Sequence, residues 1–276
     1  MKLSKTKVVP IFLCLILTGI MAMGAAPDEK PDKEPVDKIV FVHYPKDNPG
    51  NAYGKPGGSS AIGGTGVLSN DYKYSGIHWS ISTATAIKYY VNPIGSGVLN
   101  ETAIGAIQAA MTTWDNASSK LGYNTPITNY SLNAGIYDYH NVISWANISL
   151  QYPSAIAVTS VWYYRFNKQI AEVDTQMNNG AGFAWSYNPP NVTNDLSSPA
   201  APTDTRYGDP TNSVASDTYD IRNIMTHEAG HWLMLGDLYN STDSELTMYG
   251  YGSTGELKKD TLGYGDELGV ERIYGQ

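Results

Sequence analysis

His227 and His231 stand four residues apart, with Glu228 directly after the first and Asp237 six residues after the second. Two imidazoles and two carboxylates at that spacing can hold a divalent metal and activate water. On a helix, residues i and i+4 share a face, about 40° apart around the axis and one turn apart along it. Both imidazoles can therefore grip one ion, and zinc takes imidazole nitrogen at about 2.0–2.1 Å. Glu228 is offset from the pair. It can touch a water at the metal without ligating the ion, which is where a general base belongs. Catalytic zinc keeps three protein ligands and one open position. Asp237 is the first candidate for the third ligand, with Asp243, Glu245 and Glu256 as rivals farther along. The helix must stop before Asp237 can swing back, and Gly236 is an obvious place to turn. The bland alternative is a structural helix that happens to carry two histidines. An H-E-x-x-H pattern arises by chance in about one of several hundred chains of this size, so one zinc ion is the expectation.

The elements that must position these residues follow from periodicity. "SDTYDIRNIMTHEAGHWLML" reads as a helix capped by Ser216 or Asp217, with Trp232 and Leu233 packing it onto a sheet. "VLNETAIGAIQAAMTTWDNAS" reads as a second helix, with Asn100 as N-cap and Ile104, Ile107, Ala110, Met111 and Trp114 on one face. "GIHWSISTATAIKYYV" is β-rich, and "NVISWANI", "AIAVTSVWYYRF" and "QIAEVDTQM" read as strands. The last two form a hairpin joined at "NK". "DELGVERIYG" is a short terminal helix. The expected class is α+β.

The chain has 276 residues, 42% hydrophobic and 16% charged, with a net charge of −8. An acidic chain of this kind has no basic face to displace counterions from phosphates, so nucleic acid is excluded as a partner. Residues 1–24 carry Lys2, Lys5 and Lys7 ahead of an apolar run with small residues at its exit, the pattern of a secretory signal. The product is then secreted or extracellular, and tethered at the cell surface only if that segment stays uncleaved. The only cysteine, Cys14, lies within it. Residues 25–71 begin charged and Pro-rich and end Gly-rich, and read as a linker or pro-segment, with "IVFVHYP" as one strand inside it. Residues 72–276 form the domain that carries the chemistry, taken as a monomer. The loop 188–213 is rich in Pro, Asn and Asp. Calcium at Asp204 or Asp209 is an option there, a solvated loop the simpler one. His78 and His140 read as structural.

"THEAGHWLMLGDLY" resembles the long zinc motif of the metzincin metallopeptidases, H-E-x-x-H-x-x-G-x-x-H/D, and the secreted, prokaryotic type of matrixin in particular. His227, Glu228, His231 and Asp237 match it position by position. "LTMYGY" resembles the Met-turn, with Met248 beneath the metal. "LGYGDELGVERIYG" resembles the closing helix, and the likeness spans Tyr72 to Gly275. It implies a twisted mixed sheet with an active-site helix and a C-terminal helix. It further implies a zinc endopeptidase whose protein or peptide substrate lies along a sheet edge, for which "GFAWSY" (182–187) is the candidate. Three departures stand out. Met234 replaces the motif glycine, so either it adopts φ > 0 at about 1–2 kcal/mol or the helix runs on to Gly236. The cysteine that silences matrixin proenzymes is absent, and no histidine cluster matches a second, structural zinc. The rival function is a non-catalytic cell-surface binding module that keeps a structural zinc on the same fold.

Overall fold

A computed structural model describes residues 34–46, 70–81, 86–117, 119–187 and 217–275. The first strand is β1 (Val36–Pro45), followed by β2 (Ala86–Ile87), β3 (Tyr90–Asn92) and helix α1 (Asn100–Asp115). Then come β4 (Gly122–Tyr123), β5 (Ile127–Thr128), β6 (Val142–Ala146), β7 (Ala157–Tyr164), β8 (Ile170–Asn178) and β9 (Trp185–Ser186). The chain continues through β10 (Tyr219–Asp220), α2 (Ile221–Trp232), β11 (Tyr251–Gly252) and α3 (Tyr264–Tyr274). The result is a mixed α+β fold.

The main sheet has the order β11-β1-β7-β8-β6-β3-β5. β7 alone runs against the rest, because it is antiparallel to both β1 and β8 while the other pairings are parallel. Parallel neighbours need a long crossover, and α1 supplies it between β3 and β5. Such strands are covered on both faces and read as apolar runs, as in "VISWA" of β6, where four of five residues are buried. α1 buries Ala103, Ala106, Ile107, Ala110, Met111 and Trp114, so the expected stripe holds, with Ile104 only partly buried at its margin. Trp114 Nε1 donates to the Thr226 carbonyl at 2.7 Å, and Trp232 Nε1 donates to Thr175 Oγ1 of β8 at 2.8 Å. Those two indoles fix α2 against α1 and against the sheet, and Trp232 packs as expected.

Several boundaries differ from expectation. The N-cap of α1 is Leu99, in extended conformation, and Asn100 is already helical. α2 starts at Ile221 rather than near Asp217, because β10 pairs with β9 and holds Tyr219–Asp220 extended. Asp220 is then the cap, its side chain accepting from Asn223 N at 2.8 Å. The β7–β8 hairpin forms, but its connection runs from Arg165 to Gln169. Among the described residues of the stretch 76–91, the strands are β2 and β3, with a single bridge at His78. "GFAWSY" is not an edge of the main sheet, since β9 pairs with β10 in a separate two-stranded sheet. Part of the 25–71 stretch, as β1, lies inside the main sheet, outside the expected domain limits of 72–276. Residues 1–24 and 188–213, with Asp204 and Asp209, lie outside the described residues. Among the described residues no helix is long and apolar enough to cross a membrane.

Candidate metal centre

α2 ends in a Schellman motif. Leu235 N donates to Gly230 O at 3.0 Å, and Met234 N to His231 O at 2.9 Å. The residue between helix cap and exit must then be left-handed, and Met234 has φ 65°. The methionine therefore takes the conformation of the motif glycine, and the helix does not run on to Gly236. Its side chain is buried, at 1% exposure. The reversal brings Asp237 back over the helix end.

His227, His231 and Asp237 meet there. The two Nε2 atoms are 3.1 Å apart, and Asp237 Oδ1 is 3.1 Å from one and 3.4 Å from the other. A tetrahedral ion with arms of about 2.0–2.1 Å requires ligand–ligand edges of about 3.3 Å. The protonation pattern agrees. His227 Nδ1 donates to Thr247 O and His231 Nδ1 to Leu235 O, each at 2.7 Å. Each carbonyl fixes its ring's tautomer and leaves a bare lone pair on Nε2. Asp237 Oδ1 is buried and has no hydrogen-bond partner among the described residues. With both rings neutral in that tautomer, three lone pairs converge at contact distance, an arrangement that a cation satisfies. The rivals Asp243, Glu245 and Glu256 join neither of the two groups of side chains that could hold a metal.

The second such group is His43, His227 and Glu228. It does not suit a cation, because the Lys259 ammonium lies 3.2 Å from His43 Nε2 and 3.4 Å from His227 Nδ1. Lys259 is fully buried and also donates to the Tyr249 carbonyl. The contacts here form a chain of donors. Lys259 donates to His43 Nε2, and His43 Nδ1–H donates to Glu228 Oε1 at 3.2 Å. Thr159 Oγ1 donates to Glu228 Oε2 at 2.6 Å. Both oxygens of Glu228 are therefore engaged.

Electrostatics follow from burial. Desolvation lifts Glu228 to about 7, against the pull of His231 and the Thr159 hydroxyl. Desolvation and then Lys259 push His227 down to about 3. For His231, burial lowers the value but the Asp237 carboxylate outweighs it, and the net shift is upward. For Asp237, burial raises it, yet the two imidazoles hold it well below the carboxylate range. Burial lowers Lys259 to about 8 and, with Asp237, raises Tyr239.

Met248 packs under the helix. A Cβ on Gly230 would fall 2.2 Å from Met248 Sδ and 2.8 Å from Trp114 Cζ2, so only glycine fits between them. The turn around Met248 is held by Asp266 of α3, which accepts from Thr247 N at 2.8 Å and Met248 N at 3.1 Å. Tyr251 meets the rings of Tyr239 and Tyr249 edge-on. His43, Thr159 and Lys259 escaped the sequence reading. Their partners lie 185, 69 and 32 residues away, and no local pattern marks them.

No family model matches the chain, and no curated protein matches it.

Proposed function

We propose that the chain is a secreted, zinc-dependent endopeptidase of matrixin-like metzincin type, acting as a monomer on protein or peptide substrate. The observation that carries this reading is the triangle of His227 Nε2, His231 Nε2 and Asp237 Oδ1, three bare lone pairs spaced for one tetrahedral ion. Zinc held there supplies Lewis acidity toward the scissile carbonyl and makes water a stronger acid. Glu228, beside the triangle on the same helix, accepts a proton from the attacking water and returns it to the amide nitrogen as the C–N bond breaks. Thr159 anchors Oε2 and so aims Oε1 as the working oxygen. Burial that lifts Glu228 to about 7 matches its proton affinity to that task near neutral pH. His227 and His231 must be neutral to bind the ion, so activity falls in acid.

The engagement of both Glu228 oxygens gives the rival, a binding module with structural zinc, its one specific support. Digestion of unfolded casein over long incubation, beside Glu228→Ala, separates the two. Slow fragmentation by the zinc-loaded chain and none by the variant, with one zinc in each, is the expected result. Equal inertness at one zinc per chain, persisting after β1 is loosened as described below, would select the binding module.

A further inference from the structure

β7 would be an edge strand of the sheet if β1 were not there. β1 covers it in antiparallel register, from Val36 opposite Tyr164 to His43 opposite Ala157. At its far end β1 turns its pairing to β11, just past the Met248 turn, with Tyr44 opposite Tyr251. It therefore threads between β7 and β11 in the sheet. Alternate side chains of a strand share a face, and on this face β1 carries Phe41 and His43. The Phe41 ring lies flat on His231, centroids 4.1 Å apart and planes 6° apart. The His43 ring covers His227 at 4.0 Å, and its Nδ1–H occupies Glu228 Oε1. His227, Glu228 and His231 are all at 0% exposure beneath them.

We propose that β1 is a built-in occupant of the substrate cleft, and that the chain is latent while Phe41 and His43 cover the metal ligands and His43 holds the general base. This rests on the peptidase reading of the site. A peptide binding as an added strand needs the edge of β7, and β1 already fills it. The blocking group here is an imidazole aimed at Glu228, not a ligand aimed at the ion. β1 is held along most of its length by the β7 ladder, and its N-terminal end is the part that a surface substitution can loosen. Its N-terminal end is fastened at the surface, by Arg165 Nη2 on Asp37 Oδ1 at 2.6 Å and by Glu34 Oε1 accepting from Phe166 N at 2.9 Å. Exposed pairs of this kind contribute little.

The test compares the zinc-loaded full chain with His43→Leu, which removes the donor to Glu228, and with Asp37→Ala. The latter loosens β1 at an exposed site remote from the ligands and so guards against a folding defect in the first. A peptidyl hydroxamate is the probe, because its binding requires the metal and the cleft but no hydrolysis. Its affinity should rise about tenfold or more in His43→Leu and about two- to fivefold in Asp37→Ala. On the wild-type chain, probe binding should speed amide exchange in residues 36–45. Turnover of a fluorogenic peptide pool should rise in the same order. Equal affinity in all three proteins, no binding in any of them, or binding that leaves the 36–45 amides protected would overturn the proposal. Tighter probe binding in the variants with no hydrolysis by any of them would leave β1 as the cover and remove the peptidase reading. Equal hydrolysis and equal affinity throughout would do the reverse.

Discussion

Met234 sets two opposing terms against each other, and their sizes predict an order of stabilities. Its φ of 65° is the left-handed region, which costs a non-glycine residue about 1–2 kcal/mol. Its side chain is nonetheless buried at 1% exposure among the core residues, and truncating a buried methionine to alanine costs about 2–5 kcal/mol. Packing outweighs strain. Met234→Ala loses the packing and keeps the strain, so it should be the least stable, by about 2–5 kcal/mol. Met234→Gly loses the packing but relieves the strain, so it should sit about 1–2 kcal/mol above alanine and still below wild type. Urea unfolding at saturating zinc gives the three midpoints. Zinc affinity should follow the same order, because this turn delivers Asp237. Glycine more stable than wild type would mean that the side chain contributes nothing. Alanine equal to or above glycine would mean that the left-handed turn of α2 is absent.

Removing zinc with a chelator should lower Tm by about 8 °C or more, taking about 4 kcal/mol of binding linkage at a thousandfold excess over Kd. In Asp237→Ala, differential scanning calorimetry should show that gap shrink toward zero. Asp220→Ala deletes the side chain that accepts from Asn223 N and should cost about 1 kcal/mol by the same urea assay. Asp174 is buried beneath residues 135–142, and desolvation raises it to about 8 despite donors from Gly135 N and Val142 N. A carboxyl whose folded value is raised stabilises fully at low pH and loses that contribution as pH climbs through the folded value. The wild-type urea midpoint should therefore fall between pH 6.5 and 8, with a shallower slope in Asp174→Asn. An unchanged slope would place the ionised form of Asp174 in the fold throughout that range.

Local chemistry was legible in the sequence and long-range pairing was not. Spacing alone puts His227 and His231 on one helical face, and both rings converge as expected. How α2 ends was ambiguous from the sequence, with a left-handed Met234 or a run to Gly236 equally open. The three-dimensional reason for the first is the His231 ring. Its Nδ1–H needs the Leu235 carbonyl at 2.7 Å, and that carbonyl is available only if the helix has already turned. Continuing the helix to Gly236 would leave the Leu235 carbonyl free but pointing along the axis toward the C-terminus, away from His231, and the ring would be untethered. β1 shows the opposite limit. "IVFVHYP" alternates well enough to be read as a strand, yet alternation says nothing of which edge the strand joins. Nothing in the sequence marks His43, because its partner, Glu228, is 185 residues away. The two-residue strands β2, β4, β5, β9, β10 and β11 are likewise held by partners rather than by their own propensity. The candidate metal-binding triad is thus written within a single helix and its exit, because i, i+4 geometry and a Schellman turn are local. The contacts of β1, Thr159 and Lys259 around them exist only once the sheet has closed. A substitution at Asp37, which touches no residue of the metal centre, can therefore change what reaches that centre, while one at Asp237 changes whether there is a centre to reach.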